Sequence, residues 1–413
     1  MKYSKLFTKT LKEAPADELS KNAQLLIRAG FIYKEMAGAY VILPLGLRVL
    51  NKISDIVREE MGAIGGEELQ STALQRKEVW EKTDRWSDEV VDNWFKTGLK
   101  NGSELGLGFT HEEPMTDMMR SFIHSYKDLP AYPYDIRTVF RNEARAKSGL
   151  MRGREFFWKA MYSFSKDEAE HQEFYEKAKT AYKNVFDRVG LGDKTYLAFA
   201  SGGTFSKYSH EFQTLCEAGE DTIYLSKENG IAVNKEVYND DVLDDLKLEK
   251  SELVEEKAVE VGNIFSLGTK FSGSLGLTYN DEHGLDKEVV MGSYGIGISR
   301  LLGVIVEVHS DMRGLVWPES VAPFKYHLVT IAQSEDDESY KKSEELYNKL
   351  IERGEEVLWD DRMDVRPGEK FADADLIGCS IRIVVSPKTL GEDSVEVKLR
   401  SEEESKLVKF EEV

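Results

Sequence analysis

The stretch RTVFRNEARAKSGLMRGREFFWKAMYSF, residues 137–164, decides how this chain is read. Side chains alternate between the two faces of an extended strand, so Arg141 and Glu143 point the same way. A polar loop with Gly149 and Gly153 follows, and a second run then sets Arg154, Phe156 and Trp158 on one face. Residues 137–159 carry seven basic side chains (Arg137, Arg141, Arg145, Lys147, Arg152, Arg154 and Lys159) against two acidic ones, a net +5. Guanidinium forks suit phosphate, and an aromatic ring on the same face suits a purine. A polyphosphate–purine site and a solvated hairpin with balancing charge both fit this composition.

The remainder of the chain has the opposite sign. Its 413 residues include 55 basic and 75 acidic side chains, a net charge of −20. That balance argues against a general nucleic-acid binder, since phosphate neutralisation is the sequence-independent source of such affinity; a local basic patch inside an acidic shell stays compatible with it. At about 150 residues per domain the length gives two or three domains. No apolar run approaches the roughly 18 residues of a membrane span, and MKYSKLFTKTLKEA at the start has no apolar signal core. The expectation is a cytoplasmic protein with no membrane partner. Cys216 and Cys379 form no CxxC and the seven histidines no HExxH, which speaks against a disulfide framework and against zinc.

Other constellations surround the central one. In MGSYGIGISRLLGVIVEVH, 291–309, the glycines permit a tight backbone, and a helix begins near Gly297 with Arg300 in its first turn. The order GxxGxG is not the dinucleotide fingerprint, so Arg300 reads as a phosphate clamp or a structural ion pair. In GFTHEEPM, 108–115, an extended backbone would place Thr110 and Glu112 on one face, a hydroxyl and a carboxylate suited to an ammonium group. Ser209 and His210 in SGGTFSKYSHEFQ, 201–213, lack the elbow that a serine hydrolase needs. From Pro44, Leu47, Leu50, Ile53, Val57 and Met61 recur at helical spacing, as in a packing helix or an interface helix. Residues 240–260 are net −6 and read as a solvated surface helix or connector. After GLVWPESVAPF, 314–324, a strand at 326–331, a charged helix at 336–353, a strand at 356–359, a Pro-Gly turn at 367–368, a helical FADADLIG and a strand at 381–385 predict a small α/β domain.

Taken in order, these residues resemble the class II aminoacyl-tRNA synthetases, and within that class the prolyl family. FRNE at 140–143 with the returning GREFFWKAMYSF is similar to the second class motif, and GSYGIGISR at 292–300 to the third. The prolyl family is indicated by FTHEEP (109–114), SHEFQ (209–213) followed by AGED (218–221), VGNIFSLGTKFS (261–272), WDDR (359–362) and RPGEKFADADLIG (366–378). The chain departs from the family at Thr72, where the first motif usually ends in proline, and at Asn263 and Ser293, where histidine and cysteine are common. Only about 40 residues separate AGED from VGNIF, where many bacterial relatives carry a long editing domain.

The resemblance implies an α+β fold: an antiparallel catalytic sheet flanked by helices over residues 1–324, with an acidic connector at about 236–260 in place of the editing insertion, then an α/β anticodon-binding domain over 325–413. It implies a homodimer and the ATP-dependent attachment of proline to tRNA(Pro) through prolyl-adenylate, without editing in the same chain. Positioning and charge stabilisation then supply the catalysis, because the proline carboxylate is already ionised. The implied roles place Arg141 on the α-phosphate and the proline carboxylate, Phe156 on adenine, Glu143, Arg152 and Gln213 on the nucleotide, and Arg300 on the terminal phosphate. Thr110 and Glu112 would receive the ammonium of proline, and His210 would shape its ring pocket. Mg2+ would come with ATP, aided by Glu143 or Glu211. Arg145 and Lys147 would meet the tRNA acceptor end, and Asp361, Arg366 and Lys370 the anticodon. A regulatory, non-catalytic paralogue and a threonine-specific enzyme of the class are the alternatives. Retention of Arg141, Glu143, Phe156 and Arg300 weighs against the first, and the missing zinc ligands against the second. Residues 325–413 hold 14 basic and 23 acidic side chains, so RNA recognition there would rest on a small patch and base edges.

Overall fold

The computed structural model describes residues 1–202 and 207–413; part of the glycine- and serine-rich stretch before Ser209 lies outside the described residues. The chain forms two compact units. One contains Met1–Glu35, Tyr40–Lys52 and Ile305–Val413, the other Met36–Ala39 and Ile53–Val304.

Helix α1 (Pro44–Ala63) follows the predicted periodicity. Leu50, Ile53, Val57 and Met61 are buried, while Leu47 is 45% exposed. In the larger unit a mostly antiparallel sheet contains β1 (Glu67–Glu68), β2 (Pro133–Phe140), β3 (Glu155–Ser165), β4 (Thr195–Ser201), β5 (Tyr208–Leu215), β6 (Asp221–Ser226), β7 (Ile231–Asn234), β8 (Leu253–Gly268) and β9 (Val290–Ile296), in the spatial order β5-β4-β7-β6-β8-β9-β3-β2-β1. The long β8 holds the sheet together. Its first part pairs with β6, its middle with β5 and its last part with β9. Residues 253–260 of the acidic stretch at 240–260 are therefore strand rather than surface helix; Asp240–Leu246 is α-helical, anchored by Val242 and Leu243, and Lys250–Glu252 forms a short 3-10 turn.

The hairpin β2–β3 pairs antiparallel, with Tyr134 opposite Met161 and Phe140 opposite Glu155. Period-two alternation then divides the sheet into two faces. On one lies α3 (Glu168–Arg188), which follows α2 (Glu112–Met119) in the chain. The Asp167 carboxylate accepts from the Glu170 amide and caps α3. Phe174 packs on Tyr294 and Tyr182 on Phe212, ring to ring at 5.2 Å. Lys159 points to this face, donating to the Tyr182 hydroxyl at 2.6 Å and the Tyr294 carbonyl at 2.9 Å. Burial drives its pKa well below that of an ordinary lysine. Phe156, Trp158, Ala160 and Tyr162 occupy the opposite face. Gly295 of β9 makes room there, because a Cβ would lie 2.2 Å from the Trp158 ring.

In the other unit, β10 (Tyr326–Thr330), β11 (Val357–Asp360), β12 (Ile381–Val385), β13 (Ser394–Leu399) and β14 (Lys406–Lys409) take the order β11-β10-β12-β13-β14. The first three are mutually parallel, as the alternation of strand and helix predicts. Helices α5 (Glu338–Glu352) and α6 (Pro367–Ile377) cover them. Pro367-Gly368 is the first turn of α6 rather than a turn before it, since proline's fixed φ and missing N–H suit that position. Arg362 donates to Asp360 at 2.7 Å and to Asp373 at 2.8 Å, and the buried Lys370 ammonium lies 3.7 Å from Asp360. Replacing Asp360 by alanine leaves the buried Lys370 without a carboxylate and Arg362 with Asp373 alone, and should destabilise this unit by about 3 kcal/mol. Denaturant unfolding of the full chain followed by tryptophan fluorescence should show an earlier transition than the wild-type chain, and an unchanged curve would refute the role given to this network.

Candidate active site

Arg141 follows β2 directly, and its amide donates to the Arg154 carbonyl across the hairpin. The guanidinium carbon sits 5.2 Å from the ring centre of Phe109, 5.5 Å from Phe156 and 5.6 Å from Trp158. The Nε is buried and unpartnered, and no carboxylate among the described residues lies within ion-pair distance. Desolvation, and then the like charge of Arg300, lower its pKa. A cation held by ring quadrupoles and by carboxylates beyond ion-pair distance, Glu260, Glu143 and Glu112, in a partly dry site, is built to receive an anion.

Arg141 lines a cavity of about 240 Å3 together with Glu143, Arg152, Phe156, Trp158, Glu220, Asp221, Glu260, Gly297 and Arg300. The structure thus brings together five of the residues implied for ATP. Glu143 accepts from Arg152 at 2.9 Å, and Arg152 also donates to Glu220 at 2.8 Å. These hydrogen bonds, Glu220 first, raise the Arg152 pKa. Arg300 stands in the first turn of α4 (Ile298–His309), and its Nε donates to the Met151 carbonyl at 2.9 Å. Arg154, expected beside Phe156, turns away instead. It clamps the Glu143 carbonyl at 2.9 Å and the Ala37 carbonyl at 2.7 Å, because it precedes β3 and escapes its alternation.

On the same face Thr110 donates to Glu112 at 2.7 Å. The pairing is the one expected, but its cause differs: Glu112 opens helix α2, so the two meet across a helix start rather than along a strand. Tyr162 and Ser293 also donate to Glu112, at 3.3 and 3.4 Å, so the serine at 293 keeps a hydrogen bond in the site. Asn263 donates to Glu260 at 2.7 Å. His111 is buried, with both ring nitrogens unpartnered, and desolvation next to Arg137 lowers its pKa to about 3.

Strand β5 separates what the sequence grouped. His210 and Phe212 face α3, where the His210 ring meets the Tyr175 hydroxyl at 2.8 Å, and it is not brought together with Thr110 and Glu112. Burial, and then Lys179, lower its pKa to about 4. Glu211 and Gln213 face the other way. Gln213 donates to Glu211 at 2.9 Å and to Asp221 at 3.0 Å, and its own carbonyl oxygen is buried without a partner. Burial and the neighbouring Glu260 raise Glu211 to about 7. No group of three metal-ligating side chains occurs among the described residues.

Arg145 is exposed without an ion pair, while Lys147 lies 3.6 Å from Glu220. In the smaller unit Asp361 accepts from the amide and hydroxyl of Ser4, at 2.9 and 2.7 Å, and Lys370 donates to the Thr330 carbonyl at 2.7 Å. Both side chains are engaged in contacts within the protein. Arg366 alone of the three is solvent-facing, beside a cavity of about 380 Å3 at the carboxyl ends of β10 and β11. Sequence reasoning missed Phe109, Arg85, Glu220 and Glu260. Of these, only Phe109 and Glu220 sat inside motifs already singled out.

The residues of the cavity and the Thr110–Glu112 pair lie within residues 94–309, which match the family model for the tRNA synthetase class II core domain (G, H, P, S and T); residues 321–413 match an anticodon binding domain. The proline–tRNA ligase of Caulobacter vibrioides (strain NA1000 / CB15N) is 40% identical to this chain, covering 97% of it and 95% of that protein. The proline–tRNA ligase of Rickettsia bellii (strain OSU 85-389) is 38% identical, covering 97% and 94%. The fold matches the prolyl-tRNA synthetase of Cryptosporidium parvum complexed with L-proline and AMP, with a TM-score of 0.77 at 19% identity over 95% of this chain and 72% of that one. The chain belongs to the proline–tRNA ligase family of class II aminoacyl-tRNA synthetases.

Proposed function

We propose that this protein charges tRNA(Pro) with proline in two steps. The observation that carries this reading is the uncompensated Arg141 guanidinium between an aromatic, arginine-lined cavity and the Thr110–Glu112 pair. Glu112 and the Thr110 oxygen hold the secondary ammonium of proline, and Arg141 holds its carboxylate against the α-phosphate of ATP. A carboxylate oxygen attacks that phosphorus, the bond to the β-phosphate breaks and diphosphate leaves. A ribose hydroxyl at the tRNA 3′ end then attacks the acyl carbon, loses its proton and displaces AMP. Both steps are catalysed by alignment and charge, since two anions must meet. Phe156 stacks on adenine with Trp158 beside it, Arg152 and Arg300 take the outer phosphates, and Glu143 sets Arg152.

Burial first, and then the neighbouring charge of Glu260, raise the Glu211 pKa, and the carbonyl of Gln213 beside them lacks a donor. That donor set fits Mg2+ arriving with ATP, which would screen phosphate charge there; Glu143, committed to Arg152, fits it less well. Arg145 and Lys147 suit the acceptor end and Arg366 the anticodon. A homodimer formed through the first class motif belongs to the same reading, and a cytoplasmic enzyme is consistent with the lack, among the described residues, of a helix long and apolar enough to cross a membrane. The domains are read as catalytic to residue 324 and anticodon-binding from 325. The proline–tRNA ligase of Bacillus mycoides aligns over 562 positions against 413 residues, so the longer relative carries segments with no counterpart here, in keeping with a chain that lacks the editing insertion.

Amino-acid-dependent ATP–diphosphate exchange tests the assignment. Screened over proline, alanine, cysteine and threonine, exchange should be strongest with proline; a threonine response without proline would refute it, and no response at all would favour a regulatory protein. Losing one or two methylenes is worth about 1–3 kcal/mol, so kcat/KM for alanine should be roughly 10–200-fold below that for proline. Preformed Ala-tRNA should persist with the pure protein, and its rapid hydrolysis would contradict the absence of editing. Arg366→Ala should raise the KM for tRNA by roughly tenfold or more while leaving exchange unchanged.

A further inference from the structure

Glu112, assigned above to the ammonium of proline, stands beside a second buried carboxylate, Glu113, and needs a partner that holds it in place. Glu113 is wholly buried, and only 12% of the Glu112 side chain is exposed. Arg85 reaches both. Its Nη1 lies 3.0 Å from Glu113 Oε1 and 3.4 Å from Glu112 Oε2, the oxygen that also accepts from Thr110. The guanidinium is held 5.1 Å from the Trp80 ring centre and 5.4 Å from that of Phe271, in the wall behind the site. Thr83 donates to the Glu113 oxygen that Arg85 reaches, while Glu113 Oε2 has no partner. Arg85 is absent from the nucleotide cavity.

The geometry points to Arg85 as a positioning residue that fixes the orientation of Glu112 for recognising the secondary ammonium of the amino-acid substrate, with Glu113 anchoring Arg85 from behind. This rests on the proposed activation of proline. The charged and titratable groups around the pair are Arg85 behind it, Tyr162 on β3 and Arg141 across the pocket. Burial lifts Glu113 to about 7 even against the attraction of Arg85, and the charge of Glu112 adds to the rise. Two adjacent buried carboxylates cannot both stay ionised without a counter-charge, and the protons they take up belong to the pair. Arg85 therefore favours the doubly ionised state, in which Glu112 is available to the ammonium.

The test measures Arg85→Gln in proline-dependent ATP–diphosphate exchange from pH 6 to 9, where proline keeps its ammonium. The KM for proline should rise at least about tenfold at pH 7 and fall back as pH increases, by up to about tenfold per unit, as the carboxylate pair loses its extra proton. The KM for ATP should stay within about twofold, a margin well under one pK unit. A proline analogue with oxygen in place of the ring nitrogen has no ammonium, so its inhibition constant should not change; a merely loosened site would weaken both. Should Arg85→Gln fail to fold, Arg85→Lys replaces it. A point charge cannot span both carboxylates as the fork does, and the same split is expected at about threefold. An unchanged KM for proline in either folded variant, or equal loss for proline, analogue and ATP, overturns the inference. Absence of proline-dependent exchange by the unaltered chain overturns the functional reading, and the inference with it.

Discussion

One unpaired guanidinium organises the catalytic unit. Arg141 is surrounded by Phe109, Phe156 and Trp158 and, among the described residues, has no carboxylate within ion-pair distance, so its desolvation is offset only by ring quadrupoles and by the more distant charges of Glu260, Glu143 and Glu112 until an anion arrives. Much of the sheet exists to maintain that arrangement. The β2–β3 register brings Phe156 and Trp158 to one face, Gly295 leaves space for the indole, and α3 seals the other face around the buried Lys159. On the Arg141 side lie both the cavity that suits a nucleotide and the Thr110–Glu112 pair that suits an ammonium.

The charge arithmetic changes when partners are seen. Of the seven basic residues that make residues 137–159 net +5, Arg137 donates to Ser71 and the Thr72 carbonyl, Arg154 to backbone carbonyls and Lys159 to the core. Lys147 and Arg152 are drawn to Glu220, and Arg152 to Glu143 as well. Among the described residues, only the side chains of Arg141 and Arg145 remain without a hydrogen-bond or ion-pair partner. The hairpin is thus less a basic surface than a frame that isolates one cation, which is how a nucleotide site can exist in a chain of net charge −20.

What was legible in the sequence followed from short-range periodicity. Alternation gave the faces of β3, helical spacing gave α1 and α4, and strand–helix alternation gave the smaller unit's parallel strands. Failures came where a side chain lies at the boundary of an element. Arg154 precedes its strand, Glu112 begins a helix, and Pro367 starts α6 instead of stopping the chain before it. The placement of His210 against Tyr175 was not legible for a different reason: alternation within SHEFQ fixes that neighbours diverge, but not which of them meets α3. Asp361 and Lys370 were spent on contacts with Ser4 and Thr330, hundreds and tens of residues away, which no local pattern encodes.

The central claim is that Arg141 is held ready for the anion shared by proline and the α-phosphate. Calorimetric titration with a non-hydrolysable prolyl-adenylate analogue, on the intact chain and on Arg141→Met, tests it most directly. The account predicts tight binding by the intact chain and a loss of roughly 100-fold or more in the variant, since a charge-assisted contact in a water-poor site is removed. Equal affinity in the two proteins would show that the anion is held elsewhere and would contradict the account.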